Sequence, residues 1–272
     1  MTIEPLAECA TLVTGSSRGL GLGVARVFAK EGARVWMTSE AEDELHEAAG
    51  EIRAGGGDVE TRVVDLTDRE ACVTLARELL ASTQTLRVLV NNAGVLERRP
   101  VMDLDLDSWD RTLAVNLTAP ALLCRELAPA LARTGGSIIN VSSRAGTLAF
   151  PTQAAYCASK FAIEAVTRCL AMELTGSPVS ANTVTPGLRI KATSLTRADA
   201  PSAPAAEQAS WNDPAELGPA FVLLAGLRGQ VSGCRFDALT LTRAIETFGG
   251  EAVLHRIADF SEHIPPDTMT TT

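Results

Sequence analysis

Short apolar runs alternate with helical patterns along most of the chain. Such runs, bounded by turn residues, are typical of strands buried on both faces, and their alternation with helices predicts a parallel sheet covered on both sides. We therefore predict a doubly wound, three-layer α/β/α fold with seven parallel strands. The predicted strands are 12–13, 34–37, 59–64, 88–90, 137–141, 179–184 and 231–236, the helices lie near 21–31, 41–54, 68–82, 107–133, 154–175 and 214–225, and Asp68, Asp107 and Asp213 are the expected N-caps.

A glycine-rich segment, residues 14–21, separates the first predicted strand from the first helix. Free N–H groups and the dipole at a helix N-terminus attract anions, and glycines let the backbone approach them closely. The spacing of Gly15, Gly19 and Gly21 differs from the G-x-G-x-x-G pattern, but the strand before and the helix after it favour dinucleotide binding over a plain glycine turn.

The single tyrosine of the chain, Tyr156, stands four residues before Lys160. On a helix this spacing places the phenol and the ammonium on one face. A fixed positive charge stabilises phenolate, so we expect the pKa of Tyr156 to be lowered toward neutral pH, where the phenol can exchange a proton with an alcohol or a carbonyl. Taken alone, a tyrosine that merely packs on a helix is the commoner explanation of this pattern.

Six motifs occur in the order and at the spacing typical of one family. They are Thr14-Gly15-x-x-x-Gly19-x-Gly21, Asn91-Asn92-Ala93-Gly94, Asn116, Ser142-Ser143, Tyr156-x-x-x-Lys160 and Pro186-Gly187. Over roughly residues 8–236 the chain resembles the single-domain branch of the short-chain dehydrogenase/reductase family. The resemblance implies a Rossmann-like fold and an NAD(P)-dependent oxidoreductase that interconverts a ketone or aldehyde and an alcohol by hydride transfer.

The resemblance also implies a catalytic set of Asn116, Ser143, Tyr156 and Lys160. Ser143 would orient the substrate oxygen, and Tyr156 would act as general acid and base. Lys160 would bind the nicotinamide ribose and lower the pKa of Tyr156. Asn116 would hold a water that connects Lys160 to solvent, although a buried helical asparagine can instead satisfy a backbone group.

The cofactor implied by the resemblance is NADP(H) or NAD(H), and residues around the second strand bear on the choice. Arg18 and Ser39 suit a ribose 2′-phosphate, whereas Glu40 would repel it; we expect NADP(H) to be favoured because a guanidinium binds such a dianion strongly. Asp65 would accept from the adenine amino group, or could merely cap a helix. The expected cofactor-binding residues are Gly15, Ser17, Arg18, Gly19, Leu20, Gly21, Ser39, Asp65, Leu66, Asn92, Ala93, Gly94, Tyr156, Lys160, Pro186, Gly187 and Arg189.

The C-terminal part of the chain departs from the family pattern. The last predicted strand lacks the family's Asp-Gly-Gly ending, and Lys191 replaces a threonine that usually contacts the nicotinamide. We expect one dehydrogenase domain over residues 1–238 and, over 239–272, a helical extension with a disordered tail. Apolar residues recur at helical spacing in 239–260 and need a cover, either over the substrate cleft or on a neighbouring subunit.

Composition excludes several other classes of protein. A hydrophobic fraction of 46% suffices for one large core, and a net charge of −9 disfavours nonspecific nucleic-acid binding. No apolar run has the length of a membrane span, and the first residues lack the basic start of a signal peptide, so we expect a cytoplasmic protein. The six cysteines include no C-x-x-C pair, so we expect neither a metal site nor a disulfide framework.

Helices 107–133 and 154–175 carry more apolar residues than packing on one sheet face requires. The resembled family uses this helix pair as a two-fold interface, so we expect a homotetramer, or failing that a dimer; a monomer in light scattering at micromolar concentration would contradict both. A catalytically idle NADP-binding regulator is the alternative function, because a fold does not fix an activity. The complete catalytic set favours an enzyme.

Overall fold

One sheet runs through the computed structural model, which describes residues 6–188, 190 and 199–262. Its strands are β1 (Ala10–Thr14), β2 (Arg34–Ser39), β3 (Asp58–Val63), β4 (Leu86–Asn91), β5 (Ser137–Val141), β6 (Ser180–Thr185), β7 (Arg235–Asp237) and β8 (Ser261–Glu262). Their order is β3-β2-β1-β4-β5-β6-β7-β8, and all neighbours are parallel except the last pair. The doubly wound sheet of seven parallel strands is therefore confirmed, with a short antiparallel eighth strand added.

The C-terminal end of the sheet differs from the prediction in two ways. The predicted strand 231–236 is replaced by the shorter β7, because Gly233 adopts a positive φ of 79° that interrupts an extended chain. Strand β8 has only two residues, too few for any alternation to be visible in the sequence.

Helices cover both faces of the sheet. They are α1 (Gly19–Lys30), α2 (Glu42–Ala54), α3 (Arg69–Ser82), α4 (Leu106–Leu113), α5 (Ala119–Thr134), α6 (Ala154–Glu173), α7 (Ala205–Gln208), α8 (Gly218–Ala225), α9 (Ala238–Phe248) and α10 (Gly250–His255), with 3₁₀ turns at Val101–Asp103, Arg144–Gly146, Ala200–Ser202, Pro214–Leu217 and Ile257–Phe260. The carboxylates of Asp68 and Asp213 accept from backbone N–H groups as predicted for N-caps.

The helix predicted over 107–133 is interrupted, and its predicted cap is wrong. A π-helical turn, Ala114–Thr118, separates α4 from α5. Asp105, not Asp107, is the N-cap of α4: its backbone is extended, as a cap requires, and its carboxylate accepts from the Ser108 N–H group at 3.0 Å. Asp107 already lies within the first helical turn, where it complements the helix dipole.

Two apolar clusters lie on opposite faces of the sheet. Neighbouring strand residues alternate between them, so that Leu12 and Val13 belong to different clusters, as do Trp36 and Met37. Helices α1, α2, α8 and α9 contribute to one cluster, and α3 and α5 to the other. Burial on both faces explains why the strands appear in the sequence as continuous apolar runs.

The C-terminal segment packs on its own domain. Leu241, Val253, Leu254 and Ile257 are each at most 4% exposed and join the cluster that contains α1 and α8. Most of the apolar face of the extension is thus covered within the chain, although Phe248 stays 61% exposed; neither alternative considered from the sequence had described this packing. Residues 263–272, predicted to be a disordered tail, lie outside the described residues.

Some of the apolar residues expected at a subunit interface are instead buried in the core of the chain. Leu123, Leu127 and Ile163 are buried within the chain, whereas Phe161 and Met172 on α6 are 46% and 61% exposed. The homotetramer stays a prediction, now resting on a smaller apolar surface.

Within the described residues, no helix combines the length and apolar character needed to cross a bilayer.

The burial of the extension predicts a large stability effect at Leu254. Leu254→Ala should lower the free energy of unfolding by about 2–5 kcal/mol, because it leaves a cavity in a packed core. Phe248→Ala, on the neighbouring helix α9 but 61% exposed, should change it by no more than about 0.5 kcal/mol. Urea unfolding of both variants checks this, and equal effects would contradict the packing described.

Candidate active site

The glycine turn after β1 leaves an open backbone surface at the N-terminus of α1. A Cβ atom on Gly21 would lie 2.3 Å from the Gly15 carbonyl oxygen, so this position admits only glycine. Gly19, with a φ of +55°, has no other atom within 4 Å of its Cβ position. The backbone N–H groups of this turn can therefore be approached closely by a ligand, and the residues fit the phosphate groups of a dinucleotide.

Asn92 ties this turn to the end of β4. Its side-chain amide donates to the carbonyl oxygens of Thr14 and Gly15 at 2.9 and 3.1 Å. The Thr14 hydroxyl in return accepts from the N–H groups of Asn92 and Ala93, both at 3.0 Å. Asn92 thus acts on the chain itself, which leaves Ala93 and Gly94 as the residues that can line a ribose.

Two ion pairs surround the region where the second strand ends. Arg18 is paired with Glu44 at 2.5 Å. Both carboxylate oxygens of Glu40 accept from Arg111, at 2.9 and 2.8 Å. Sequence reasoning missed Arg111, which reaches Glu40 from α4 across 71 positions of the chain. A neighbouring guanidinium reduces the repulsion that the Glu40 carboxylate exerts on an anion.

Ser17 and Ser39 approach each other in the same region, with their hydroxyl oxygens 3.0 Å apart. The Ser39 hydroxyl also accepts from the Ala41 N–H group at 3.1 Å. The two hydroxyls are thus brought together next to the turn that contains Arg18, as expected for residues that bind one ligand group.

Asp65 has a local role in the chain. Its carboxylate accepts from the N–H and hydroxyl groups of Thr67, both at 2.8 Å, and these bonds hold the pKa of Asp65 below its usual value. Asp65 therefore forms a local turn and does not cap a helix, because Asp68 is the N-cap of α3. A second oxygen of the exposed carboxylate remains for the predicted adenine contact, and Leu66 follows in the same turn.

Tyr156 and Ser143 meet at the carboxyl end of β5. Tyr156 lies in the first turn of α6, and the Ser143 side chain lies close enough to its phenol to affect its pKa. Burial raises the pKa of Tyr156, and the interaction with Ser143 offsets this in part. The expected lowering of this pKa is wrong for this arrangement of side chains, because desolvation of the phenolate outweighs the interaction with Ser143.

Lys160 is buried next to this pair. Its ammonium lies 5.7 Å from the centre of the Tyr156 ring and donates to the Val141 carbonyl oxygen at 2.7 Å. Burial lowers the pKa of Lys160 to about 8, with Glu164 acting in the opposite direction. A Cβ on Gly94 would lie 3.8 Å from the Lys160 nitrogen, so the glycine keeps the space next to the ammonium open.

Asn116 lies in the π-helical turn and is 1% exposed. Its side chain accepts from the Val95 N–H group at 2.8 Å and donates to the Val95 carbonyl oxygen at 3.0 Å. It also donates to the Ser159 hydroxyl at 3.1 Å. The alternative of satisfying backbone groups is therefore realised, while the water connection to Lys160 stays a prediction. Single π turns inside helices are frequent at functional sites.

Pro186 and Gly187 follow β6 at the same edge of the sheet. Gly187 has a φ of +70°, and a Cβ there would lie 2.5 Å from both carboxylate oxygens of Asp237. Asp237 therefore packs directly against the segment expected to lie beside the nicotinamide. Arg189 and Lys191 lie outside the described residues.

Sequence reasoning also missed a buried ion pair behind Ser143. Arg235 on β7 and Glu164 on α6 are 5% and 2% exposed and are bonded to each other. The available signal was an arginine in a predicted buried strand, which requires a buried partner.

Within residues 6–188, 190 and 199–262, no three His, Cys, Asp or Glu side chains are grouped so as to hold a metal ion.

Comparisons with known proteins identify the family of this chain. The family described as short chain dehydrogenase matches residues 10–201. A trans-4-hydroxycyclohexanecarboxylate dehydrogenase of Sinomonas cyclohexanicum is 39% identical over 190 residues, which cover 68% of this chain and 73% of that protein. A D-threitol dehydrogenase of Mycolicibacterium smegmatis is 34% identical over 176 residues, 64% and 68% of the two chains.

Solved structures resemble this chain over most of its length. A metagenomic short-chain oxidoreductase in complex with NADP superposes with a TM-score of 0.71 and 33% identity, covering 84% of this chain and 96% of that one. A gluconate 5-dehydrogenase from Burkholderia cenocepacia in complex with NADP and tartrate gives a TM-score of 0.74 and 27% identity, covering 86% and 96%.

The tight turn at Gly21 predicts a sharp contrast between two glycines. Gly21→Ala should weaken dinucleotide binding at least about tenfold, because its Cβ atom collides with backbone and displaces the turn. Gly50→Ala, in α2 with no atom within 4 Å, should leave binding unchanged and stabilise the protein by about 0.5–1 kcal/mol. Fluorescence titration with NADPH and NADH measures both, and unimpaired binding by Gly21→Ala would rule out this turn as the phosphate site.

Proposed function

The chain belongs to the short-chain dehydrogenase family, and on this premise we propose that it is an oxidoreductase that interconverts a carbonyl compound and an alcohol, with Tyr156 as general acid and base. The observation that carries the proposal is the grouping of Tyr156, Ser143 and buried Lys160. The Lys160 ammonium lies 5.7 Å from the centre of the Tyr156 ring and next to Gly94, and the Ser143 side chain lies close enough to lower the pKa of the phenol. Relatives named as dehydrogenases of a hydroxycyclohexanecarboxylate, a tetritol and cyclopentanol support an alcohol as substrate.

Tyr156 transfers the proton in this proposal. A phenol with a raised pKa is fully protonated near neutral pH and can donate to a developing alkoxide. The reverse direction requires phenolate, which the neighbouring Ser143 side chain favours because it lowers the pKa of Tyr156. Ser143 can serve the substrate oxygen in the same way, since one hydroxyl both donates and accepts.

Lys160 supplies positive charge and hydrogen-bond donors. Its bond to the Val141 carbonyl oxygen fixes the ammonium at the end of β5. Because its pKa is lowered to about 8, the ammonium loses its proton more readily than an exposed lysine. Ribose hydroxyls next to Gly94 would restore hydrogen-bond partners to the charged form, which raises this pKa again.

The residues around the glycine turn fit a nicotinamide dinucleotide, which would supply or accept the hydride when bound. We propose NADP(H) as the preferred form, with Arg18, Ser17 and Ser39 binding the 2′-phosphate. The Glu40 carboxylate, which would oppose this phosphate, is already paired with Arg111. Arg18 must exchange its bond to Glu44 for the phosphate, and a dianion is the stronger partner for a guanidinium.

Tyr156→Phe should lower kcat by about 10²–10⁴, because the variant lacks the proton that the reaction transfers. Its Kd for NADPH should stay within about twofold, since the phenyl ring still fills the same space. Oxidation of NADPH with a panel of ketones and aldehydes, followed by absorbance, gives the rate. Cys169→Ser, at an exposed position of the same helix, is the control and should retain full activity.

Two outcomes would contradict this assignment. Retention of more than about a tenth of the wild-type kcat by Tyr156→Phe would remove Tyr156 from the mechanism. Cofactor binding by the wild type without turnover of any carbonyl or alcohol would favour the idle regulator.

Arg18→Ala should weaken NADP(H) binding by about 1.5–3 kcal/mol, the size of charge-assisted hydrogen bonds, and leave NAD(H) binding nearly unchanged. Arg26→Ala removes an exposed guanidinium from α1, the helix that follows Arg18, and should affect neither cofactor. Calorimetric titration with both cofactors measures these differences. A wild type that prefers NADH would show that Glu40 decides the preference, and an Arg18→Ala variant that loses both cofactors equally would show that Arg18 does not bind the 2′-phosphate.

A further inference from the structure

We propose that Arg235 is a positioning residue that holds Ser143 in place and couples the C-terminal strand β8 to the active site. The proposal rests on the function proposed above, because it assigns Ser143 to the substrate oxygen. It adds a residue from a strand that carries none of the expected site residues.

All three nitrogen atoms of the Arg235 guanidinium are engaged. One terminal nitrogen bonds to Glu164 and donates to the Ser142 hydroxyl at 3.2 Å. The other donates to the Ser143 carbonyl oxygen at 3.0 Å. The inner nitrogen donates to the Glu262 carboxylate at 2.6 Å. One rigid group therefore joins β5, α6, β7 and β8.

The bond to the Ser143 carbonyl acts where the sheet no longer holds the chain. Ser142 makes a sheet-like bond, from its N–H group to the Val184 carbonyl oxygen at 2.8 Å. Ser143 lies beyond it and caps the short 3₁₀ turn Arg144–Gly146 by accepting from Ala145. The Arg235 bond and a second bond from the Gly146 N–H group at 2.9 Å hold the carbonyl of the same residue whose side chain lies beside Tyr156. A misplacement of about 1 Å at such a group can cost about a hundredfold in rate.

Arg235 also forms an ion pair with Glu164, which lies one helical turn after Lys160. Glu164 accepts from the Thr183 hydroxyl at 2.8 Å and is almost fully buried. Without Arg235, this carboxylate would still have Lys160 as a buried cation close enough to interact with it. The pair of Arg235 and Glu164 therefore leaves Lys160 available to the site.

Strand β8 supplies the last partner of Arg235. Its register with β7 places Glu262 opposite Arg235 and Ser261 opposite Phe236. Glu262 is 59% exposed and bonds to Arg235 from the solvent side. The C-terminal segment is thus connected to Ser143 through a single side chain.

Stability alone does not account for this network. Apolar residues of similar volume often replace a buried ion pair without loss of stability. A guanidinium with carbonyl and hydroxyl acceptors on the catalytic loop does what an apolar side chain cannot, because it fixes a backbone position by directed bonds.

The decisive variant is Arg235→Lys, which keeps the buried positive charge but cannot reach four partners at once. We expect kcat to fall at least about tenfold and the Kd for NADPH to stay within about twofold. Arg34→Lys, a matched control in the ion pair between β2 and β3, should leave both unchanged. A folded Arg235→Lys protein with wild-type kcat would overturn the proposal, even if its melting temperature were lower.

Hydrogen exchange tests the positioning without reference to activity. The peptide covering residues 142–148 should exchange faster in Arg235→Lys than in wild type. In Arg34→Lys it should exchange at the wild-type rate. If the wild type turns over no substrate, the proposed function fails, while faster exchange in this peptide still supports the positioning. Unchanged exchange would overturn the positioning whatever the activity.

Two further substitutions keep the test independent of folding. If Arg235→Lys does not fold, the double variant Arg235→Met/Glu164→Gln leaves no unpaired buried charge and takes its place with the same expectations. Glu262→Gln should lower kcat about two- to fivefold, the effect of an exposed ion pair, whereas Glu251→Gln on α10 should not. Equal activity of these two glutamine variants would show that β8 has no influence on the active site.

Discussion

Hydrogen bonds between Thr14 and the Asn92–Ala93 segment hold together the two strand ends on which the site is built. Strands β1 and β4 are neighbours in the sheet although far apart in the chain, and the strand order reverses between them. Ligands of doubly wound sheets bind in the crevice at this point. With the turn after β1 fixed to the loop after β4, the open surface near Gly19 lies on the same edge as Gly94 and Lys160.

Burial of charge is the second constraint on the site. Lys160, Glu164 and Arg235 are each at most 5% exposed, and an unpaired buried charge is costly. Glu164 and Arg235 compensate each other, whereas Lys160 relies on the Val141 carbonyl oxygen and has a lowered pKa. The Lys160 ammonium thus requires further hydrogen-bond acceptors to compensate its charge fully, and we propose that ribose hydroxyls provide them.

Much of the fold and part of the site could be predicted because the relevant signals are local. The apolar strand runs predicted the parallel sheet, and the spacing of Tyr156 and Lys160 predicted two side chains on one helix face. The interruption at 114–118 could not be predicted, because it depends on the bonds of Asn116 to Val95, 21 positions away. The direction of the Tyr156 pKa depends on burial, which neighbouring residues in the sequence do not define.

By itself, the sequence determined the order of strands and helices, the glycine turn and the residue types available at the carboxyl edge of the sheet. Only the tertiary structure decided which distant charges meet: Glu40 with Arg111, and Arg235 with Glu164, Ser143 and Glu262. It also decided that the apolar face of the C-terminal extension packs on its own domain. The reason is that residue spacing fixes contacts within one element, whereas contacts between elements depend on strand order and on the burial that packing imposes.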